Sequence, residues 1–549
     1  MADAEFDVVV VGGGLKALIC SMYLTKYGGM SVGIFERRHE IGGGQAFSDS
    51  DAPGFIGDPH CTNVNHMYYY SPIQADFPDY EDKGLRLVDH KASIGVITRE
   101  NPDKCCVVYN MADDPTQEKT AKEIARYANE RDAETYLKLW NYAQKSGFLE
   151  AELKTWFIKP KPGEPTALDS WFNDYFKQPD CLIDPEWMYL DDLTGAQALF
   201  DSVGLGLMWN RRCLAEATQM VDPGGALSLI HVILTSPGLA AIVGGTHNVA
   251  HAYIRFILEN GGKFFQFAEV DKIIIENGAA VGIRLSDGTE VKARKLVVAN
   301  VNPRQLCSQL IGEEILGKYI CRKVENMKGG YQGLMWYNWA LNEPIKWQAA
   351  EFNPDIGNTQ NIGLVSEDLS VWARDYYMRR LGMIPPIEGK ILHHAYAAPG
   401  ACRAPEGRQT CLTEVLSVPA NALSEKQWLE YKKQHAEDVV REWQAYAPDM
   451  SWDRIIGYEP ATPYDTANRL INLQPYGDGG SAADPAKPIS MRPIREFATH
   501  RIANIKNLYG AESAWMLPSG MADVGYTCYK AIAEDFGLRK PWEEQGRPW

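Results

Sequence analysis

The sequence has no excess of positive charge, no paired-cysteine motif and no apolar run long enough to cross a bilayer. Its 55 lysines and arginines are outnumbered by 71 aspartates and glutamates, a formal net charge of −16, which repels phosphate backbones and anionic surfaces. Nucleic acid is therefore not an expected partner. The 11 cysteines are odd in number and form no C-x-x-C pair and no cluster with histidines, so reduced thiols in a cytoplasm-like compartment, with no metal site, are expected. The most apolar long stretch, residues 229–245, is broken by His231, Ser236, Pro237 and Gly238, short of about 20 uninterrupted apolar residues. The opening Met1-Ala2-Asp3-Ala4-Glu5-Phe6-Asp7 is acidic, so no export signal is expected. Peripheral contact with a membrane is left open. Internal repeats and low-complexity tracts are also lacking.

What is present is the composition of a globular protein. The 549 residues are 45% hydrophobic and 23% charged, enough for two or three structural units and a core that can enclose a sizeable cofactor. Val8 to Val11 form an apolar run suited to a buried parallel strand, Gly12 to Gly14 break it, and Leu15, Leu18, Ile19 and Met22 then recur at helical spacing. Gly28-Gly29 stops that helix, and residues 31–36 read as a second strand ending at Glu36. Residues 120–200 are helical in pattern and rich in aromatics, among them Tyr136, Trp140, Trp156 and Trp171. From Gly244-Gly245-Thr246-His247 a helix leads into strands parted by Asn277-Gly278 and Asp287-Gly288, dipeptides that favour tight hairpin turns. The series closes on Leu296 to Asn300, another buried-strand run, which is expected to complete the first sheet.

The fold class expected is therefore α/β: a discontinuous Rossmann-type nucleotide-binding domain with an α+β substrate domain and a helical insertion. The boundaries expected are residues 1–115 for the first part of the nucleotide-binding domain, 116–240 for the helical, substrate-covering region, 241–305 for its middle part, 306–500 for the substrate domain and 501–549 for its C-terminal part.

Gly12-x-Gly14-x-x-Ala17 between a strand and a helix is a dinucleotide fingerprint with alanine at the third small position. Gly12 permits the turn, Gly14 lets a pyrophosphate approach the backbone, and Ala17 lets helix and strand lie close; the helix N-terminus then favours the phosphates. Glu36, 24 residues beyond Gly12, stands where a carboxylate would accept ribose hydroxyls and repel a 2′-phosphate. A second glycine cluster, Ile41-Gly42-Gly43-Gly44-Gln45, suits the longer pyrophosphate and ribityl chain of FAD better than a nicotinamide cofactor. No second fingerprint supports a separate NAD(P)H site, so electrons would leave to oxygen, a quinone or a protein carrier.

Three blocks, GGGLKA…FERRHEIGGG, PGFIGDPHCTNVNHMYYYSP and the long segment from GGTHNVAHAYIRFILENGG to VVANVNP, together resemble the phytoene dehydrogenase-related family of FAD oxidoreductases. That family includes carotenoid desaturases and isomerases and terpene dehydrogenases. The resemblance covers most of residues 5–100 and 240–305, with a weaker match at 506–535. It implies that Gly12, Gly14, Glu36, Gly42 and Gly43 bind FAD, that the Val270 backbone holds adenine, and that Gly510, Glu512, Gly520, Met521 and Val524 lie near the isoalloxazine and ribityl chain. It places His60 and His66 beside the cofactor as candidate proton acceptors, although a structural role is the commoner one for a histidine. Tyr68, Tyr69, Tyr70, Trp336 and Trp515 would wall the substrate pocket. The chain departs from the family where Gly43-Gly44-Gln45 lacks the usual basic residue, so that contact is missing or supplied elsewhere, for example by Arg37. It departs again at Gly510-Ala511-Glu512, and where Ser513 to Pro518 replace a glycine-rich stretch.

The expected activity is that of an FAD-dependent dehydrogenase or desaturase acting on a hydrophobic, isoprenoid or terpene-like molecule. A redox-neutral isomerase, an amine or alcohol oxidase, and a non-catalytic carrier of lipid or prenyl groups are the rivals. A homo- or hetero-oligomer fits the resemblance, because some members work in pairs.

Overall fold

A computed structural model describes residues 4–45, 47, 52–58, 60, 64, 71–215, 220–327, 333–396, 398–474, 487–516 and 522–549. Of the residues singled out above, His66, Tyr68, Tyr69, Tyr70, Gly520 and Met521 lie outside these.

The first sheet is assembled from three distant parts of the chain. Ala4–Val11 is central, with Val8, Val9 and Val10 wholly buried, as a parallel strand covered on both faces requires. Val32–Phe35 pairs with it in parallel on one side and Glu290–Ala299 on the other. Lys263–Phe265 extends the sheet beyond Val32–Phe35, again in parallel. Leu508–Gly510 adds a short parallel strand against Val297–Ala299. The hairpin expected from the Asn277-Gly278 turn is present, as Val270–Glu276 antiparallel to Ala279–Leu285, which pairs with the start of Glu290–Ala299. Lys263–Phe265 and Val270–Glu276 are separate strands, parted by Phe267, whose φ of 54° breaks the extended run. The helix Leu15–Lys26 is buried along nearly its whole length against this sheet, and Asp523–Phe536 packs on it.

The second sheet has the order Ile455–Ala461, Gly333–Leu341, Gln409–Ser417, Lys390–Ala395, Thr359–Val365, Ala92–Thr98, Asn101–Tyr109. All neighbours are antiparallel except Thr359–Val365 with Ala92–Thr98. This corrects the reading of residues 1–115 as one part of the nucleotide unit, because 92–98 and 101–109 belong to this other sheet. Their apolar runs mark them as buried strands without saying which sheet they enter, and 101–109 forms its edge. One face is covered by the helix Glu425–Trp443, with Trp339, Trp443 and Trp347 in the core between them. The other meets the helices of residues 118–235, and its core takes in Trp336, Leu412 and Leu416 from the sheet with Trp209 and Trp140 from the helices. Among the described residues, no helix is long and apolar enough to cross a membrane.

Candidate functional site

The glycine turn lies at the C-terminal edge of the first sheet, where open α/β sheets take their ligands. Gly12 has φ of 85°, a left-handed value that disfavours a side chain, and a β-carbon there would come within 2.9 Å of the Asn300 carbonyl. One on Gly14 would overlap the Asn300 side-chain oxygen. Asn300 is held in turn: its N–H donates to Val11 O at 2.8 Å, and its side-chain amide donates to the Ala511 carbonyl. The second cluster folds back on the first, with the Gly42 N–H donating to Gly13 O at 2.9 Å and Gly43 lying against Gly14. Gly44 continues this turn half-buried.

Glu36 receives two backbone donors, Gly13 N–H to Oε2 at 2.8 Å and Arg38 N–H to Oε1 at 2.9 Å. Its own backbone pairs with the edge strand, since its N–H donates to Phe265 O and its carbonyl accepts the Ala268 N–H, both at 2.9 Å. Val270 begins the next strand two residues on, partly exposed, so the chain brings it toward Glu36. Ala17, wholly buried, sits in the first turn of the helix that follows Gly14.

Arg37 is not the substitute for the basic residue missing at position 45. Its guanidinium donates to Asn468 O at 3.1 Å in an exposed setting. Arg38 and Arg469 lie inside instead. Buried Nη1 of Arg38 and buried Nε of Arg469 each lack a partner, and burial together with the charge of Arg469 lowers the pKa of Arg38. Arg469, from a short helix more than 400 residues away, gave no local sequence signal. Two such inward donors beside Glu36 and the glycine turn suit an anion.

At the other end of the turn, Gly510 is backed by the Trp515 ring, which a β-carbon on Gly510 would overlap. Trp515 is fully buried, donates its indole N–H to Phe497 O at 2.8 Å and stacks on Phe497. It is therefore a core residue of the nucleotide unit, which corrects its reading as a pocket wall; an aromatic residue carries no direction in sequence. Glu512 is buried, accepts the Ala514 N–H at 2.9 Å and faces the Asn472 amide at 3.5 Å. Burial raises its pKa against those donors and Lys16. Val524 is wholly buried in the first turn of Asp523–Phe536. Asp523 itself is buried with neither carboxylate oxygen hydrogen bonded, and both side-chain polar atoms of Gln45 are in the same state.

His60 lies against the second sheet. Its ring meets Trp336 edge-on at 6.0 Å between centroids, and its Nε2 has no partner. Burial, reinforced by Arg469 and Arg38, holds His60 down at about 3. It is thus a neutral imidazole and a weak proton acceptor. Trp336, buried in the second sheet, lies directly across from Glu414. There the sheet carries a polar row that the sequence did not reveal. Arg211, from the helix Val203–Ala215, places its Nη atoms 3.2 and 3.3 Å from Glu414 Oε1 and donates to Glu414 O at 3.0 Å. Glu414 Oε2 is 3.3 Å from His394 Nε2, and His394 Nδ1 is 2.8 Å from Asn361 Oδ1. All four side chains are buried. Burial disfavours the Glu414 anion, but Arg211 and His394 together outweigh it and hold the carboxyl below the usual range. His393, next in sequence, points the other way, its ring packed on Trp347 and Trp443. His393 is thus a core-packing residue, whereas His394 belongs to the polar row. Among the described residues, no group of three or more metal-ligating side chains comes together.

Two closed glycine turns, a carboxylate at the end of the second strand and buried polar atoms without partners at Arg38, Gln45, Arg469 and Asp523 fit a dinucleotide along this edge. Comparisons with known proteins agree with the frame. Residues 10–77 match the model of the NAD(P)-binding Rossmann-like domain. A limonene dehydrogenase subunit of Castellaniella defragrans is 23% identical over 98% of this chain and 96% of its own. The chloroplastic prolycopene isomerase of Daucus carota is 22% identical over 57% of this chain and 49% of its own. In fold, cyclohexylamine oxidase from Brevibacterium oxydans superposes with a TM-score of 0.55 at 13% identity, covering 97% of this chain and 99% of that one.

Proposed function

Starting from its distant homology to carotenoid desaturases and isomerases and to a limonene dehydrogenase subunit, the phytoene dehydrogenase-like family, we propose that this chain is an FAD-dependent dehydrogenase or desaturase of a hydrophobic, terpene-like or isoprenoid substrate. The observation that carries the proposal is the double glycine turn closed on Glu36, with unpartnered polar atoms buried at both of its ends.

In this reading Gly12, Gly14, Gly42 and Gly43 give the dinucleotide its backbone approach, Glu36 takes the ribose, and Arg38 with Arg469 receives negative charge. Val270 lies at the adenine end, while Gln45, Gly510, Glu512 and Val524 surround the opposite end. When bound, the flavin would supply the hydride acceptor for a substrate C–H. The chain's own part is to hold that C–H in a water-poor space beside Trp336. The accompanying proton needs an acceptor, and His60 is the described candidate, neutral at physiological pH. Electrons then pass to a quinone, a carrier protein or oxygen. The kinship with one subunit of a dehydrogenase supports a second subunit as partner.

The test is the visible spectrum of the purified protein before and after anaerobic addition of a panel of terpenes. An oxidised-flavin spectrum bleached by one compound is expected. A protein that neither carries nor takes up FAD would end this reading. Kinship with prolycopene isomerases keeps redox-neutral isomerisation as a second reading, and turnover without any electron acceptor would select it.

A further inference from the structure

The helices Leu15–Lys26 and Asp523–Phe536 cross at their first turns. A β-carbon on Gly525 would lie 2.7 Å from Ile19 Cβ and would overlap the Lys16 carbonyl, so the two N-termini are as close as backbone allows. Both carry the positive end of a helix dipole, and Lys16 is buried between them. Two carboxyl groups share this place. Glu512 is satisfied by the Ala514 N–H and the Asn472 amide. Asp523 is 1% exposed with neither oxygen hydrogen bonded. Its oxygens face only the N–H groups of Val524 and of Asp523 itself at the start of the helix, neither in full hydrogen-bond geometry, so the carboxyl is open to a partner that arrives from outside the chain.

The charged and titratable groups facing it come from every neighbouring element. Lys16 lies on the first helix, and Lys159 comes from the helical region, its ammonium donating to Ile489 O at 2.9 Å and to the Trp515 carbonyl. Glu512 follows the last strand. His500 bridges Gly510 O at 2.8 Å and Thr527 Oγ1 at 2.9 Å, one turn along the Asp523 helix. Lys16 and Lys159 favour the anion, yet burial outweighs them and Asp523 holds its proton above the usual carboxyl range. Burial likewise draws Lys159 down to about 7, which weakens one of the two cations facing the carboxyl. An anionic ligand would be repelled by ionised Asp523 and can be hydrogen bonded only by its acid form.

We propose that Asp523 is a ligand of the bound flavin dinucleotide, taking part as the neutral acid and donating its carboxyl proton to an acceptor oxygen of the dinucleotide. This rests on the FAD reading above and adds that cofactor uptake is coupled to one proton held at Asp523. No bond other than this hydrogen bond forms; on the alkaline side, where free Asp523 is ionised, the proton comes from solvent, and there the proton count is made.

Apoprotein is titrated with FAD between pH 6 and 9, following flavin fluorescence, for the wild type, Asp523→Asn and Asp523→Ala. Calorimetric titration in two buffers of different ionisation enthalpy counts the protons taken up by the wild type. On the alkaline side, wild-type affinity is expected to fall about tenfold per pH unit. Asp523→Asn, which keeps a donor and cannot ionise, should bind with a flat profile, and Asp523→Ala should bind about tenfold more weakly at pH 6. Tight FAD binding by the wild type with no proton uptake and no pH dependence overturns the role of Asp523 while leaving the FAD reading intact. Absence of FAD binding by the wild type overturns both. The proton count needs no variant, so it decides the matter even where Asp523→Ala does not fold.

Discussion

The Glu36 carboxylate accepts the Gly13 N–H at 2.8 Å, so the residue that would take the ribose also fixes the turn ahead of the first helix. Glu36→Ala removes this bond and that to Arg38 and leaves two backbone donors unpaired. A loss of about 1–3 kcal/mol in urea unfolding is expected, together with weaker FAD uptake. Unchanged unfolding would show that the turn is held by its glycines alone.

Gly14→Ala should abolish FAD binding, because its methyl group would enter the space of the Asn300 side-chain oxygen. Asn300→Ala in the same chain clears that clash and should recover part of the thermal stability. Recovery is read from the melting midpoint of the double variant against Gly14→Ala. Equal midpoints would mean that Asn300 is not the obstacle.

The buried Arg211 and Glu414 pair ties the helical region to the second sheet. Breaking it one-sidedly with Glu414→Leu strands a guanidinium in the core and should cost about 3–5 kcal/mol. Arg211→Met combined with Glu414→Leu should be the milder change, since it strands no charge. Chemical denaturation of both variants gives the comparison, and a double variant less stable than Glu414→Leu would contradict it.

Acid should unfold this protein early. Burial holds His60, His393, His435 and His500 at about 3, and His90 and His247 at about 4. The unfolded chain takes up these protons near pH 6.5, the folded one only far below, so stability is full above 6.5 and falls as pH drops toward the folded values. At pH 5 each group held at about 3 removes on the order of 2 kcal/mol. Asp192, pushed up to about 7 by burial, works in the opposite direction over part of the range but is outnumbered. Melting midpoints measured from pH 8 to 5 should fall throughout; a midpoint that rises on acidification would refute the assignment of these histidines as buried and neutral.

What could be read from sequence is what is local. The valine run of the first strand, the turn at Gly12 to Gly14, Glu36 at the end of the second strand and the glycine cluster at 42–44 each lie within one βαβ stretch, and their spacing is set by one helix and two strands. The return strand ending at Ala299 was legible from its burial pattern and pairs as expected. Residues 92–98 and 101–109 were placed with the wrong sheet because the partner strand Thr359–Val365 follows more than 250 residues later. Arg469 beside Arg38, and His394 between Asn361 and Glu414, depend on elements that meet only in the folded chain. Trp515 was misread because its role is set by the ring's direction, toward Gly510 and Phe497.

The short strand Leu508–Gly510 has a consequence for synthesis on the ribosome. The first sheet gains this parallel strand against Val297–Ala299 only when residue 510 has left the exit tunnel. Until then the first βαβ stretch must wait, with the strand end beside Asn300 unpaired and a valine-rich sheet open to other chains. Slowed translation between residues 300 and 510 should therefore raise the aggregated fraction of newly made protein.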